Sequence, residues 1–351
     1  MNVRGQHPNV FPEPGPGGAV YSGKRAFRPA WWLPGAHAQT VWGRLARPAA
    51  RLTLARETLE TPDGDELLVD HLEGPSGSPR LLVLHGLEGS SYSVYVQGLL
   101  RLARVRGWRG TALNFRSCAR DPSHPRRTIP NRRPRLYHSG ETSDLDFLVS
   151  RLSDREPATP LFAAGVSLGG NVLLKWLGEH PGQALVRAAA AISVPFDLAA
   201  GARHLERGLG RLYTASLLST LRSKAVASAS RFPEAAARIE LARVRRARTF
   251  WEFDDSATAP LHGFSGADDY YARSSSLGFL PRITTPTLCL SALDDPFLPG
   301  EVLERVRQSA SAAVEFAVSR EGGHAGFVSG SSPWGAQYFA ERTAIAWLGN
   351  R

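Results

Sequence analysis

Ser167, His324 and two adjacent aspartates, Asp294 and Asp295, have the side-chain types and the chain order that suit nucleophilic acyl transfer. A neutral imidazole can take a proton from a serine hydroxyl while a carboxylate holds its other ring nitrogen and stabilises the imidazolium that forms. An alkoxide made this way needs an electrophilic carbonyl and donors for the developing oxyanion. The chemistry implied is hydrolysis of an ester-like bond through an acyl-enzyme.

The serine lies in Gly165-Val166-Ser167-Leu168-Gly169, a G-x-S-x-G pentapeptide set between the apolar run Leu161 to Ala164 and a segment of helical periodicity. The pentapeptide alone is weak, because Gly and Ser are abundant here. The strand-turn-helix setting gives it meaning. Glycines are needed because neighbouring side chains would collide with strand and helix at so sharp a turn, and the following helix would direct its positive end and the Leu168 N–H at an oxyanion. A second donor is expected from the loop after an earlier strand, where His85-Gly86-Leu87-Glu88-Gly89 offers the Leu87 N–H. An elbow serine is followed in the chain by its acid and then its histidine, so His85 reads as a loop-organising residue. The acid should follow a later strand, as Asp294 and Asp295 follow Thr287 to Ser291. Asp295 is favoured because the Pro296 ring fixes the turn just after it, leaving Asp294 as a turn or capping residue. His324 sits in a glycine-flanked loop, Gly322 to Phe327, after the final candidate strand.

Elements able to position these groups recur along the chain. β-like runs span Arg51 to Leu59, Leu67 to Leu72, Arg80 to His85, Thr111 to Phe115, Leu161 to Val166, Ala188 to Val194, Thr287 to Ser291 and Ala313 to Val318. The later runs are continuously apolar, as in parallel strands buried on both faces. Helical periodicity over Val94 to Val105, Asp144 to Asp154, Leu168 to Glu179 and Glu301 to Ser309 supplies the crossovers. The fold class expected is α/β, with a mostly parallel eight-stranded sheet and helices on both faces. The alternation breaks over about 195–281, read as a helical lid with patches at Leu209 to Leu221 and Pro233 to Val244, or else a flexible excursion. Residues 1–25, rich in Gly and Pro, read as a flexible arm ahead of one catalytic domain over 26–351.

Composition narrows the function classes. With 351 residues and 42% hydrophobic content, the chain can bury one large core. The formal net charge of +10 is carried almost entirely by arginine, Lys24, Lys175 and Lys224 being the only lysines. No nucleic-acid-binding motif accompanies it, so a solvated basic surface is expected and no nucleic-acid partner. Contact with an anionic membrane surface through Arg243, Arg245, Arg246 and Arg248 is the other partner this charge permits. Cys118 and Cys289 form neither a disulfide framework nor a metal motif, and no cofactor or metal is indicated. With no signal-like or membrane-spanning run, a cytoplasmic location is expected.

Several segments are long enough to carry a family resemblance: Trp32 to Trp42, His85 to Tyr92, Tyr137 to Gly140, Gly165 to Val172, Phe253 to Phe264 and Gly322 to Phe327. Together they resemble the YheT-like, or AB hydrolase-4, family of the α/β-hydrolase superfamily, with its EMB8-type and ABHD1/ABHD3-like branches, over about residues 27–348. The resemblance implies a serine hydrolase acting on small-molecule esters or, in some relatives, phospholipids. One departure lies in Asn114 to Cys118, where the family usually has glycine at the position of Ser117; it puts the turn there in question.

Overall fold

The computed structural model describes residues 27–47 and 52–351. The expected arm, 1–25, lies outside these, as does Arg51 at the start of the first expected strand. Helix α1 (Ala36–Leu45) precedes β1 (Ala55–Glu60), β2 (Glu66–Leu72) and β3 (Arg80–Leu84). Then α2 (Val94–Val105) leads to β4 (Arg109–Asn114), α3 (Ser143–Arg155) to β5 (Leu161–Val166), and α4 (Leu168–Glu179) to β6 (Ala188–Ile192). The cap follows, with α5 (Leu198–Leu205), α6 (Gly210–Arg231), α7 (Pro233–Arg238), α8 (Leu241–Arg246), α9 (Phe250–Phe253), a π-helical turn (Asp254–Thr258), α10 (Ala259–His262), α11 (Ala267–Ser274) and a 3-10 stretch (Ser276–Arg282). The chain returns through β7 (Thr287–Ala292), α12 (Val302–Ser309) and β8 (Val314–Ser319), makes a short pair β9 (Val328–Ser329) and β10 (Gln337–Tyr338), and finishes on α13 (Phe339–Leu348).

The eight expected strands form one sheet in the order β1-β2-β4-β3-β5-β6-β7-β8. β2 is antiparallel to β1 and β4, and the six remaining strands are parallel. The continuous apolar runs are explained by two-sided burial: Leu82 and Leu84 of β3 face one layer with α3 and α4, while Leu81 and Val83 face the other with α2 and α13. Helix α4 is buried from Leu168 through Gly178, as expected for a helix covered on every side.

The insert is helical, with its own apolar centre built from Leu218, Ala225, Ala235, Ile239, Val244 and Phe253. Within it, α6 runs ten residues beyond the expected end at Leu221. The single patch expected over Pro233 to Val244 divides instead into α7 and α8. Ile239 leaves the helix with ψ 145°, its side chain enters the cap core, and the next N–H, of Glu240, turns to the Ser256 carbonyl.

Arg116, just beyond β4, pins three elements. Its guanidinium donates to both oxygens of Asp144 at 2.6 and 2.8 Å, and to Asp63 and Asp65 at 2.9 Å each. Beside it Ser117 adopts φ 60°, a left-handed conformation that suits the glycine expected there from the resemblance; its hydroxyl donates to Asn131 Oδ1 and accepts from the Asn131 N–H. The Arg116 and Asp65 side chains are 1% and 0% exposed, and removing one partner of a buried ionic cluster strands the others. Arg116→Met is therefore expected to lower stability by about 3–5 kcal/mol, read as a fall in the urea midpoint at unchanged slope.

Candidate active site

Ser167 stands at the tip of the β5–α4 turn with φ 54° and ψ −121°. The turn is tight enough to exclude side chains on both sides. A Cβ on Gly165 would lie 2.5 Å from the Gly169 carbonyl oxygen, and one on Gly169 would lie 2.5 Å from that of His85. The Ser167 N–H donates to Ile192 O at 2.8 Å, which ties the strained residue to β6.

The structure brings the expected residues together from three loops. Ser167 Oγ lies 2.9 Å from His324 Nε2, and His324 Nδ1 lies 2.9 and 3.1 Å from the two carboxylate oxygens of Asp295. With Nδ1–H donated to the carboxylate, Nε2 presents a lone pair to the serine hydroxyl. Asp295 Oδ1 also accepts the Phe297 N–H at 2.8 Å, and the Phe297 ring stacks on His324 with centroids 4.3 Å apart. Asp294 turns the other way, its Oδ1 accepting the Gly323 N–H at 2.9 Å. It braces the histidine loop without reaching the imidazole.

Helix α1 forms the other side of that brace. Thr40 Oγ accepts the His324 N–H at 2.9 Å, while Gln39 accepts from the Val328 N–H and donates to its carbonyl. The approach is so close that a Cβ on Gly323 would lie 2.4 Å from the Ala36 carbonyl oxygen, and one on Gly326 would lie 2.3 Å from that of Gln39. Sequence reasoning missed Gln39 and Thr40 as site-building residues. Their segment, Trp32 to Trp42, carries the family resemblance, but the partner lies some 280 residues downstream.

Leu87 and Leu168 both line the cavity that holds Ser167 and His324, and among the described residues neither N–H has an acceptor. The Leu87 loop is held from three sides. His85 is buried, with Nδ1–H donating to Gly86 O at 2.7 Å and Nε2 accepting the Phe115 N–H at 3.1 Å. Burial holds its pKa down to about 3, so it is a neutral strut. Tyr95 accepts the Gly86 N–H, and Tyr137 accepts the Glu88 N–H at 2.7 Å. Glu88, at φ 57°, accepts at Oε1 from Tyr137 and from Lys224 of cap helix α6, at 2.8 and 2.7 Å. The cap thus reaches beneath the loop. Asn171 adds a tie, donating to Ser139 O and Ser274 O and accepting the Ser276 N–H.

Two chambers meet beneath the cap. The outer one holds Ser167 and His324 among Leu198, Leu205, Leu217 and Leu298, and the inner one runs on past Leu168 to Leu221, Ile239, Phe253 and Leu261. Within the expected patch Leu209 to Leu221, Leu217 lines the outer chamber, Leu218 is in the cap core and the Tyr213 ring lies tilted against Phe297 with centroids 4.8 Å apart. Leu209 and Leu212 remain exposed, at 52% and 66%. Helix α6 rests between cap core and site, so successive turns face different surroundings. Arg243, read as a membrane contact, is paired with Glu240 and Asp255. Among the described residues no group of three or more His, Cys, Asp and Glu side chains could hold a metal ion, and no helix is long and apolar enough to cross a membrane.

Residues 79–331 match the α/β-hydrolase fold family. The chain is 38% identical over 314 residues to the Escherichia coli (strain K12) protein named "Putative esterase YheT", covering 89% of each chain. It is 29% identical over 316 residues to "Phospholipase ABHD3" of Mus musculus, covering 88% of this chain and 74% of the relative. Among solved structures, the Pyrococcus furiosus esterase Pf2001 superposes with a TM-score of 0.53 at 17% identity, covering 85% and 90% of the two chains; that likeness is one of fold.

Replacing Lys224 by Met leaves the Glu88 carboxylate buried without its cation under the Leu87 loop. The expected result is a fall in kcat of about tenfold on a short-chain ester, a fraction of the loss on deleting an oxyanion donor outright. KM should change little, and Lys224→Arg should recover most of the rate; steady-state kinetics on the two variants check it.

Proposed function

Because this chain belongs to the α/β-hydrolase family and, within it, to the YheT-like branch, we propose that it is a serine esterase working through an acyl-enzyme, with Ser167 as nucleophile, His324 as general base and acid, and Asp295 as the carboxylate that orients it. The observation that carries this reading is the unbroken chain of contacts from Asp295 through His324 to Ser167 Oγ. On attack, the serine proton passes to His324 Nε2, the carbonyl oxygen becomes an oxyanion, and the N–H groups of Leu87 and Leu168 receive it. Collapse returns the proton to the leaving alcohol. Water, activated by the same imidazole, then frees the acid from Ser167. The apolar walls of both chambers favour an acyl or alcohol part of small to medium size over a highly polar one.

A second reading, deacylation of phospholipid at a membrane surface, draws on the name of the Mus musculus relative and on exposed apolar groups beside the site. Leu209 and Leu293 share a surface cleft with Arg207 and with Asp294 and Asp295, where Arg207 is the group that would attract anionic headgroups. Sedimentation with anionic vesicles separates the readings. Salt-sensitive binding supports a lipid surface, and its absence leaves a soluble-ester enzyme.

Ser167→Ala is expected to abolish p-nitrophenyl ester turnover and labelling by a fluorophosphonate probe. A folded wild-type protein that resists the probe would instead indicate a silent binding module. Asp295→Asn should lower kcat by on the order of 10⁴-fold, whereas Asp294→Asn, which loses a loop brace only, should fall far less. Equal losses in the two variants would overturn the assignment of the acid.

A further inference from the structure

The cavity contains an acid that acyl transfer does not use. Asp254 opens the π-helical turn of the cap, a rare irregularity often found at functional sites, and it lines both chambers at their junction, together with Leu87, Leu168, Phe250 and Tyr270. Its Oδ1 accepts the Thr258 hydroxyl at 2.6 Å and its Oδ2 accepts the Tyr271 hydroxyl at 2.8 Å. A carboxylate offers about four acceptor positions, so the two hydroxyls leave it able to accept from a ligand as well. Among the described residues no lysine, arginine or histidine forms an ion pair with it.

The rest of the cavity does not neutralise it. Lys224 is engaged by Glu88. His138 and His262 of the inner chamber are held by burial at about 4 and about 3, so both are uncharged at neutral pH. Burial likewise pushes the Tyr137, Tyr270 and Tyr271 phenols up, keeping them neutral, and the remaining titratable group on the walls is His324. Burial raises the Asp254 carboxyl to about 6 against the pull of its two hydroxyl partners. Above that pH it is an anion with no counter-ion, flanked by the aromatic side chains of Phe250, Tyr270 and Tyr271. Such a group is costly to bury alone and gains most when a cation arrives with the ligand, and aromatic faces add attraction for ammonium groups.

We propose that the chamber junction is a recognition site for an ammonium group carried on the substrate, with Asp254 as its counter-ion. The inference deepens the esterase reading and rests on it for the identity of the substrate, though not for the cation site itself. A neutral hydroxyl could donate to the same carboxylate, but it would leave the charge uncompensated.

Butyrylcholine and 3,3-dimethylbutyl butyrate have the same shape and differ in charge, which makes their ratio of kcat/KM a direct reading of the site. At pH 8 the wild type should favour butyrylcholine by about tenfold, and in Asp254→Asn the ratio should fall to about one. In the wild type the ratio should also fall as pH drops from 8 to 5, because a carboxyl raised to about 6 loses its charge below that value; a pH effect on the acyl-transfer step common to both esters cancels in the ratio. Calorimetric binding of the two esters to Ser167→Ala, with and without Asp254→Asn, gives the same comparison without turnover. A cationic preference that disappears with Asp254 supports the proposal. Equal affinities in Ser167→Ala, or a preference that survives Asp254→Asn, overturns it. If the wild type cleaves neither ester, the esterase reading fails while calorimetry still decides the cation site.

Discussion

Strand β5 and helix α4 meet at an angle that leaves no room for side chains beside Ser167, and the surrounding geometry follows from that crowding. Ser167 accepts a left-handed conformation because Gly165 and Gly169 allow backbone to approach backbone within van der Waals range. Since Gly169 presses on the carbonyl of His85, the elbow and the Leu87 loop share one position. The spacing between the serine hydroxyl and the two N–H groups is therefore set by close main-chain packing.

Around this rigid centre the chain uses polar groups from distant segments to hold loops that would otherwise be soft. Helix α1 braces the histidine loop, Asn171 ties α4 to the 139–140 turn and to the end of the cap, and His85 serves as an uncharged strut. Burial of these groups matters as much as their bonds. A protonated His85 would set an ammonium-like charge beneath the loop, and desolvation prevents it. Cys118, under the same loop, is an inert thiol for the same reason, its pKa raised to about 11.

Much of this was legible in the sequence, and the reasons differ from element to element. The eight strands were readable because continuous apolar runs such as Leu81 to Leu84 have few other uses in a chain of this size, and the order of Ser167, Asp295 and His324 followed from loops placed after strands. Asp295 over Asp294 rested on Pro296, a local cue. Helix α1, the break at Ile239 and the Lys224–Glu88 pair were not readable, because each depends on partners more than a hundred residues away or on a packing surface that the cap itself creates. Asp254 lay in the resemblance segment Phe253 to Phe264, yet its place in the cavity was hidden for a related reason. A π-helical turn has no periodicity of its own, and an acid among charged neighbours reads as surface until its cavity is seen.

The buried pair between Lys224 and Glu88 bears on how such enzymes diversify. Here helix α6 contributes a cation to the foundation of the core's own loop, so exchanging this cap between relatives would transplant half of an ion pair and orphan the other half. Lineages carrying this arrangement are expected to alter specificity by substitutions along the chamber walls, with the cap and Glu88 inherited as one unit.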